Sequence, residues 1–167
     1  MTAPQAGDAD RLAPLRRRLL SLGVGEIVAA AVFAVVPSWL PFIAADGAEA
    51  ALWFSLSPLL FVLVQGGAYW LLARHHLPEP IPRAVARVYQ CFRVLDPVLL
   101  LACTVGAIVM WPGMSLSAFV IVVVWLFAVA EYINYLHIRL SYPWQTWTSQ
   151  IGRWSTPRLV RDLRRAV

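Results

Sequence analysis

Three carboxylates, Glu26, Asp96 and Glu131, interrupt otherwise apolar stretches of this 167-residue chain. A charged side chain inside a membrane span costs about 2.5–3.5 kcal/mol on insertion scales, so each of the three requires a partner or a task. By helical rise Glu26 stands about 10 Å into the first apolar run and Glu131 about 8 Å before the end of the last. Asp96 stands near the start of the third run. Asn134 and Tyr135 follow Glu131 at i+3 and i+4, which puts the three on one helix face as a polar stripe. Gln65 supplies an amide in the second run. Glu26, Glu131 and Gln65 converging in a low-dielectric bundle would make a proton- or cation-handling site, with Asp96, Asn134 and Tyr135 beside it. The competing reading is structural: Asp96 follows Arg93 at i+3, Glu131 can meet Arg93 or Arg139 after packing, and the carboxylates then serve as ion pairs.

Other chemistry finds less support. His75, His76 and His137 all fall at span ends, and neighbouring imidazoles on a helix point in different directions, so no haem or metal site is assigned. Cys91 and Cys103 lack metal-type spacing and read as reduced small hydrophobes. There is no Walker loop, nucleophile elbow, HExxH or CxxCH pattern, so no catalytic residue or cofactor is assigned.

The elements that must hold these groups follow from hydropathy. The chain is 60% hydrophobic and only 14% charged, against the quarter expected of a soluble domain. Apolar runs near residues 19–36, 50–73, 94–111 and 115–136 are each long enough to cross about 30 Å of hydrocarbon. The expected fold is therefore all-α and polytopic, with four transmembrane helices over residues 19–136, a disordered and basic cytoplasmic leader over 1–18 and a cytoplasmic, Arg- and Trp-rich interfacial tail over 137–167.

All 14 basic residues are Arg, a bias that points to a GC-rich bacterial source, and the formal net charge is +5. Arg11, Arg16, Arg17 and Arg18 precede the first run, Arg74, Arg83, Arg87 and Arg93 lie between the second and third, and the rest follow the fourth. The positive-inside rule then puts both termini in the cytoplasm, in a bacterial inner membrane. Arg16-Arg17-Arg18-Leu19-Leu20 also resembles a twin-arginine export signal, but the following run is long for a signal peptide and holds Glu26, so an uncleaved anchor is expected.

Ser21, Gly25 and Ala29 recur every four residues, and Ala30 and Ala34 do likewise, which predicts close helix approach and a central place for span one. Pro37 and Pro41 should end that span, Pro58 should kink the second, and Asp96-Pro97 should kink the third where an interfacial helix from Arg83 enters the membrane. The proline-rich stretch from His75 to Pro82 reads as an extended spacer, and Pro112-Gly113 as a tight turn. In the tail, Trp144, Trp147 and Trp154 suit the headgroup region, while Arg153, Arg158, Arg161, Arg164 and Arg165 suit anionic lipid of the inner leaflet. A short helix is expected from Pro157 onward.

The thirteen residues from Ala130 to Tyr142, AEYINYLHIRLSY, resemble the end of the last span in small bacterial membrane proteins of unassigned function. That resemblance implies a four-helix integral membrane fold and no particular activity. Small multidrug-resistance exporters are similar in having four spans and an embedded Glu in the first, here Gly25-Glu26-Ile27. The chain departs from them in its proline-rich loop, its basic tail and Glu131, and its one-sided Arg distribution argues against dual insertion. Two functional expectations result. The first is a membrane protein acting by interaction, binding anionic lipid or a membrane partner through its tail and helix faces, with no nucleic acid involved. The second is a small proton-coupled exporter or ion pathway, working as a homodimer because four helices alone enclose little space.

Overall fold

The computed structural model describes the backbone of residues 6–79 and 81–136 and the side chains of residues 12–79 and 81–135. All regular structure there is helical: α1 (Ala6–Val35), a 3-10 turn (Val36–Trp39), α2 (Pro41–Ala45), α3 (Glu49–His76), α4 (Arg83–Val109) and α5 (Leu116–Leu136). Four of these helices are long and apolar enough to span a membrane: Leu12–Trp39, Glu49–His76, Arg83–Val109 and Leu116–Tyr135.

The turns follow the local chemistry of the chain. Pro37 and Pro41 lack the N–H that would continue a ladder, and the chain leaves α1 through a 3-10 turn before starting α2. Gly47 at φ +63° and Gly113 at φ +82° occupy the left-handed region, which lets the chain reverse before α3 and before α5. Antiparallel succession gathers the start of α1, the end of α3, the start of α4 and the end of α5 at one end of the bundle, here the basic end. Arg16 Nη2 donates to Leu77 O across that end (2.9 Å), a cation placed at the C-terminus of α3 where helix carbonyls lack partners. At the opposite, hairpin end, Ser117 Oγ donates to Asp46 Oδ2 (2.6 Å) and ties the first loop to α5.

The bundle centre is α3, not span one. Half of the α3 span is buried, against 17% for α1 and for α4 and 22% for α5. The reason is the pairing of small and apolar residues around α3: Ala51-Leu52, Ser55-Leu56, Pro58-Leu59, Val62-Leu63 and Gly66-Gly67 are all buried, a broad face repeating each turn. α1, α4 and α5 each pack on this face, while α4 and α5 scarcely touch one another.

The small-residue face of α1 keeps Ala30 of the expected one, which is buried, but not Gly25. Gly25 faces open space, whereas a Cβ on Gly23 would lie 3.0 Å from Gly67 O and one on Gly67 would lie 3.0 Å from Gly23 O. Leu19, Gly23 and Ala30 are buried, so the working stripe runs through Gly23 and carries Glu26 with it. Pro58 and Pro97 sit inside α3 and α4, which continue as helix through them. The stretch from Arg83 is one helix with span three, and α3 extends through both His75 and His76 before the spacer begins. α1 already runs from Ala6, through most of the expected leader.

Two cores result. Toward the hairpin end an aliphatic one joins Ile43, Ala48, Leu52, Leu56, Leu59 and Ile121. Toward the basic end an aromatic one joins Tyr69, Tyr89 and Tyr135, with Trp70, Phe92 and Tyr132 against it.

Candidate functional site

The aromatic core holds the polar side chains that the sequence singled out. Tyr135, near the end of α5, sends its hydroxyl across to α1 and donates to Glu26 Oε1. Its ring lies directly over Gly66 of α3, where an added Cβ would come within 2.5 Å of ring atom Cζ. Only a residue without a side chain leaves space for the tyrosine there, so Gly66 sets where the hydroxyl ends up. Trp70 Nε1 reaches the same hydroxyl at 3.4 Å, a long contact from the opposite side. Glu131, one turn earlier on α5, takes a weak contact from Asn134 Nδ2 at 3.5 Å, and its carboxylate is close enough to Glu26 for the two charges to repel.

Gln65 and Asp96 form a separate pair between α3 and α4. Gln65 Nε2 donates to Asp96 Oδ1 (2.9 Å), and Tyr89 Oη donates to the backbone carbonyl of Gln65 (2.8 Å). Asp96 is 3% exposed, and its Oδ2 has no hydrogen-bond partner among the described residues. It faces a narrow gap lined by Pro58, Val62, Leu99, Leu100, Ala128 and Tyr132. A buried carboxylate oxygen without a donor is a costly arrangement, and Tyr132 feels both Asp96 and Arg93 electrostatically.

The expected convergence is thus divided. Glu26, Glu131, Asn134 and Tyr135 meet at α1 and α5, while Gln65 turns away from Glu26 toward Asp96. The ion-pair reading fails for Asp96, because one of its oxygens takes the Gln65 amide and the other takes no donor among the described residues, leaving Arg93 unused. Among the described residues Glu26 and Glu131 have the neutral hydrogen-bond partners Tyr135 and Asn134, and pairing of Glu131 with Arg139 falls outside those residues. Arg139 and His137, and the tail residues Trp144, Trp147, Trp154, Arg153, Arg158, Arg161, Arg164 and Arg165, lie outside the described residues.

Sequence reasoning missed Trp70, Tyr89, Tyr132 and the role of Gly66. The one available signal was the Gly66-Gly67 pair beside Gln65, which marks a close approach on both sides of α3. His75 and His76 stack edge to face (5.4 Å between centroids), and among the described residues no three His, Cys, Asp or Glu side chains are placed to share a metal ion.

Asp46 lies outside the spans, in the loop before α3. Hydrogen bonds from Ser117 and then Ser115 hold its carboxyl below the ordinary carboxylate range, because they favour the charged form. Compared with models of protein families, with curated proteins and with solved structures, the chain matches none of them.

Proposed function

We propose that this protein moves protons or small cations across or into the membrane through its buried carboxylates, as a small ion-coupled carrier or pathway. The observation that carries the reading is the Glu26–Tyr135 contact between the first and last spans, with Glu131 beside it and neutral hydrogen-bond partners on both carboxylates. Evolution of a purely structural bundle would favour apolar residues or matched ion pairs at these depths, since a lone intramembrane acid is destabilising. The carboxylate belongs in a site where its charge is exchanged or compensated by something that comes and goes. Asp96, with one free oxygen, offers a second station on the other side of α3.

In this proposal the positive-inside rule sets the basic end in the cytoplasm of a bacterial cell, so that Glu26, Asp96 and Glu131 stand nearer the cytoplasmic face. The Arg and Trp tail then grips the anionic inner leaflet and holds the bundle at its depth, which retains the lipid-binding expectation as an accessory role. A second copy of the chain would complete an enclosed path.

The test is ion flux in proteoliposomes of phosphatidylethanolamine and phosphatidylglycerol containing the full chain, an entrapped pH-sensitive dye and an imposed gradient. Wild-type protein should dissipate the gradient faster than empty liposomes. Glu26→Gln should remove that activity while the protein stays folded by thermal unfolding in detergent. Equal flux from wild type, Glu26→Gln and empty liposomes, across proton, sodium and potassium gradients, would overturn the reading.

A further inference from the structure

Asp96 sits in a joint where α3, α4 and α5 meet. Apolar side chains of all three helices enclose its carboxyl together with Tyr132, and the gap between them has no room for a water molecule. Oδ1 accepts from Gln65 Nε2 (2.9 Å), while the buried Oδ2 has no hydrogen-bond partner among the described residues. Gln65 is itself held in place, because Tyr89 Oη donates to its backbone carbonyl. Three side chains stand where they could answer a charge on Asp96. Gln65 of α3 donates once. Tyr132 of α5 is near enough to feel the carboxyl electrostatically, but its hydroxyl does not bond Oδ2. Arg93, three residues earlier on α4, has the spacing to pair with Asp96, yet it is exposed and gives Oδ2 no donor. An ionised carboxylate has about four acceptor sites, and in this dry joint one is filled. A charge answered so poorly is far more costly to bury than a neutral acid, whose second oxygen carries hydrogen and needs no donor.

We infer that Asp96 is a proton-binding site: the packed bundle carries it as a neutral carboxylic acid, with the proton on Oδ2 and with Oδ1 as the carbonyl oxygen that accepts from Gln65. This rests on the reading of Asp96 as a second station and narrows its cargo to the proton. The lining excludes a metal cation, because such an ion needs several oxygens to replace its water, and this gap offers one open carboxyl oxygen and no space for water. Release of the proton breaks the Oδ2–H bond and leaves both electrons on the oxygen. The resulting carboxylate needs new donors, and Arg93 or entering water can supply them only after α4 moves against α3 and α5. α4 scarcely touches α5, so that movement disturbs little packing on one side. The site therefore keeps its proton while the joint is closed and exchanges it when the joint opens.

The experiment is infrared spectroscopy of the full chain in liposomes of phosphatidylethanolamine and phosphatidylglycerol at neutral pH, with the aspartate carboxyls labelled with carbon-13 so that their bands separate from those of glutamate. Asp96 is the aspartate inside a candidate span, and Asp8, Asp10, Asp46 and Asp162 lie outside the apolar runs, where an aspartate is ionised at neutral pH. Wild-type protein should show a labelled band of a protonated carboxyl. Asp96→Asn should remove that band, whereas Glu26→Gln and Glu131→Gln should leave it in place. Exchanging sodium for potassium or for N-methylglucamine should not change it. Labelled aspartate that absorbs wholly as carboxylate in the wild type would overturn the inference, and this spectrum decides even where Asp96→Asn fails to fold. Loss of the protonated band on adding sodium would also overturn it, because a cation would then displace the proton. So would a labelled band that survives in folded Asp96→Asn. None of these spectra reads flux, so failure of transport through Glu26 and failure of the Asp96 site are told apart.

Discussion

The two ends of the bundle satisfy their polar groups in opposite ways. At the hairpin end, the acid lies in a loop outside the spans and the bonds within the spans are neutral: Ser117 to Asp46, Trp125 to Thr104, Thr104 to its own helix. The surrounding core is aliphatic. At the basic end, Tyr135 to Glu26 and Gln65 to Asp96 join spans through acids that lie within the apolar runs, beside an aromatic core. A bundle needing only to fold could use the first arrangement throughout, because Ser, Thr and Trp contacts leave no charge in hydrocarbon. The second arrangement depends on shape to hold acids in place, and tyrosine and tryptophan rings provide bulk with a polar tip. The difference suggests a division of labour, with a packed hairpin end serving as scaffold for a chemically poised basic end.

Substituting the glycines that permit the close approaches should break this contrast most strongly. Gly66→Ala pushes a methyl into the Tyr135 ring and should destabilise the protein by about 1–3 kcal/mol, seen as a lower unfolding midpoint in detergent. Gly25→Ala, which meets open space, should leave the midpoint unchanged or slightly raised, because alanine favours helix. A smaller and more informative comparison removes one hydrogen bond at each end. Tyr135→Phe strands Glu26 and should cost about 1–3 kcal/mol, whereas Thr104→Val, which frees a tryptophan N–H, should cost about 0.5–1.5 kcal/mol. Equal losses would erase the distinction between the ends.

Glu131→Gln should go the other way. Glu131 is half-buried and, among the described residues, holds a marginal contact to Asn134, so the amide should leave stability unchanged or raise it by up to about 1 kcal/mol in the same unfolding assay. A clear loss would reveal an ion pair supplied from outside the described residues. The smallest effect concerns pH. The folded-state carboxyl of Asp46 titrates below its ordinary value of 3.8, so its contribution to stability is fully present above that value and is lost as pH falls through the lower, folded one. Ser117→Ala should shift the onset of acid unfolding upward by a small amount, checked by unfolding midpoints measured across the acid limb.

Much of the architecture is visible in single segments. Span number and rough limits follow from apolar run length, since each helix must satisfy its own backbone in hydrocarbon. Gly47 and Gly113 mark their turns by residue type. The polar stripe Glu131–Asn134–Tyr135 is likewise readable, because i+3 and i+4 neighbours share a face whatever the helix packs against. Pro58 and Pro97 lie inside spans that stay helical through them, since neighbouring helices can supply the contacts that keep the helix going.

Helix rotation is not a segment property. Spans apolar on nearly every face give no preferred side, so residues 21, 25 and 29 of α1 looked as good an interface as the stripe through Gly23 that the fold uses. The choice depends on Gly23 and Gly67 meeting backbone to backbone, a match between helices that no local pattern encodes. That contact sets which way Glu26 faces. Gly66 then makes room for Tyr135, 109 residues away from Glu26 along the chain, and the Gln65–Asp96 pair closes over 31 residues. Hydropathy, charge asymmetry and turn residues act over a few residues, and they determined the number of spans, their order and the acids within them. Partner choice among those acids depended on rotation and close packing, which only the assembled tertiary structure decided.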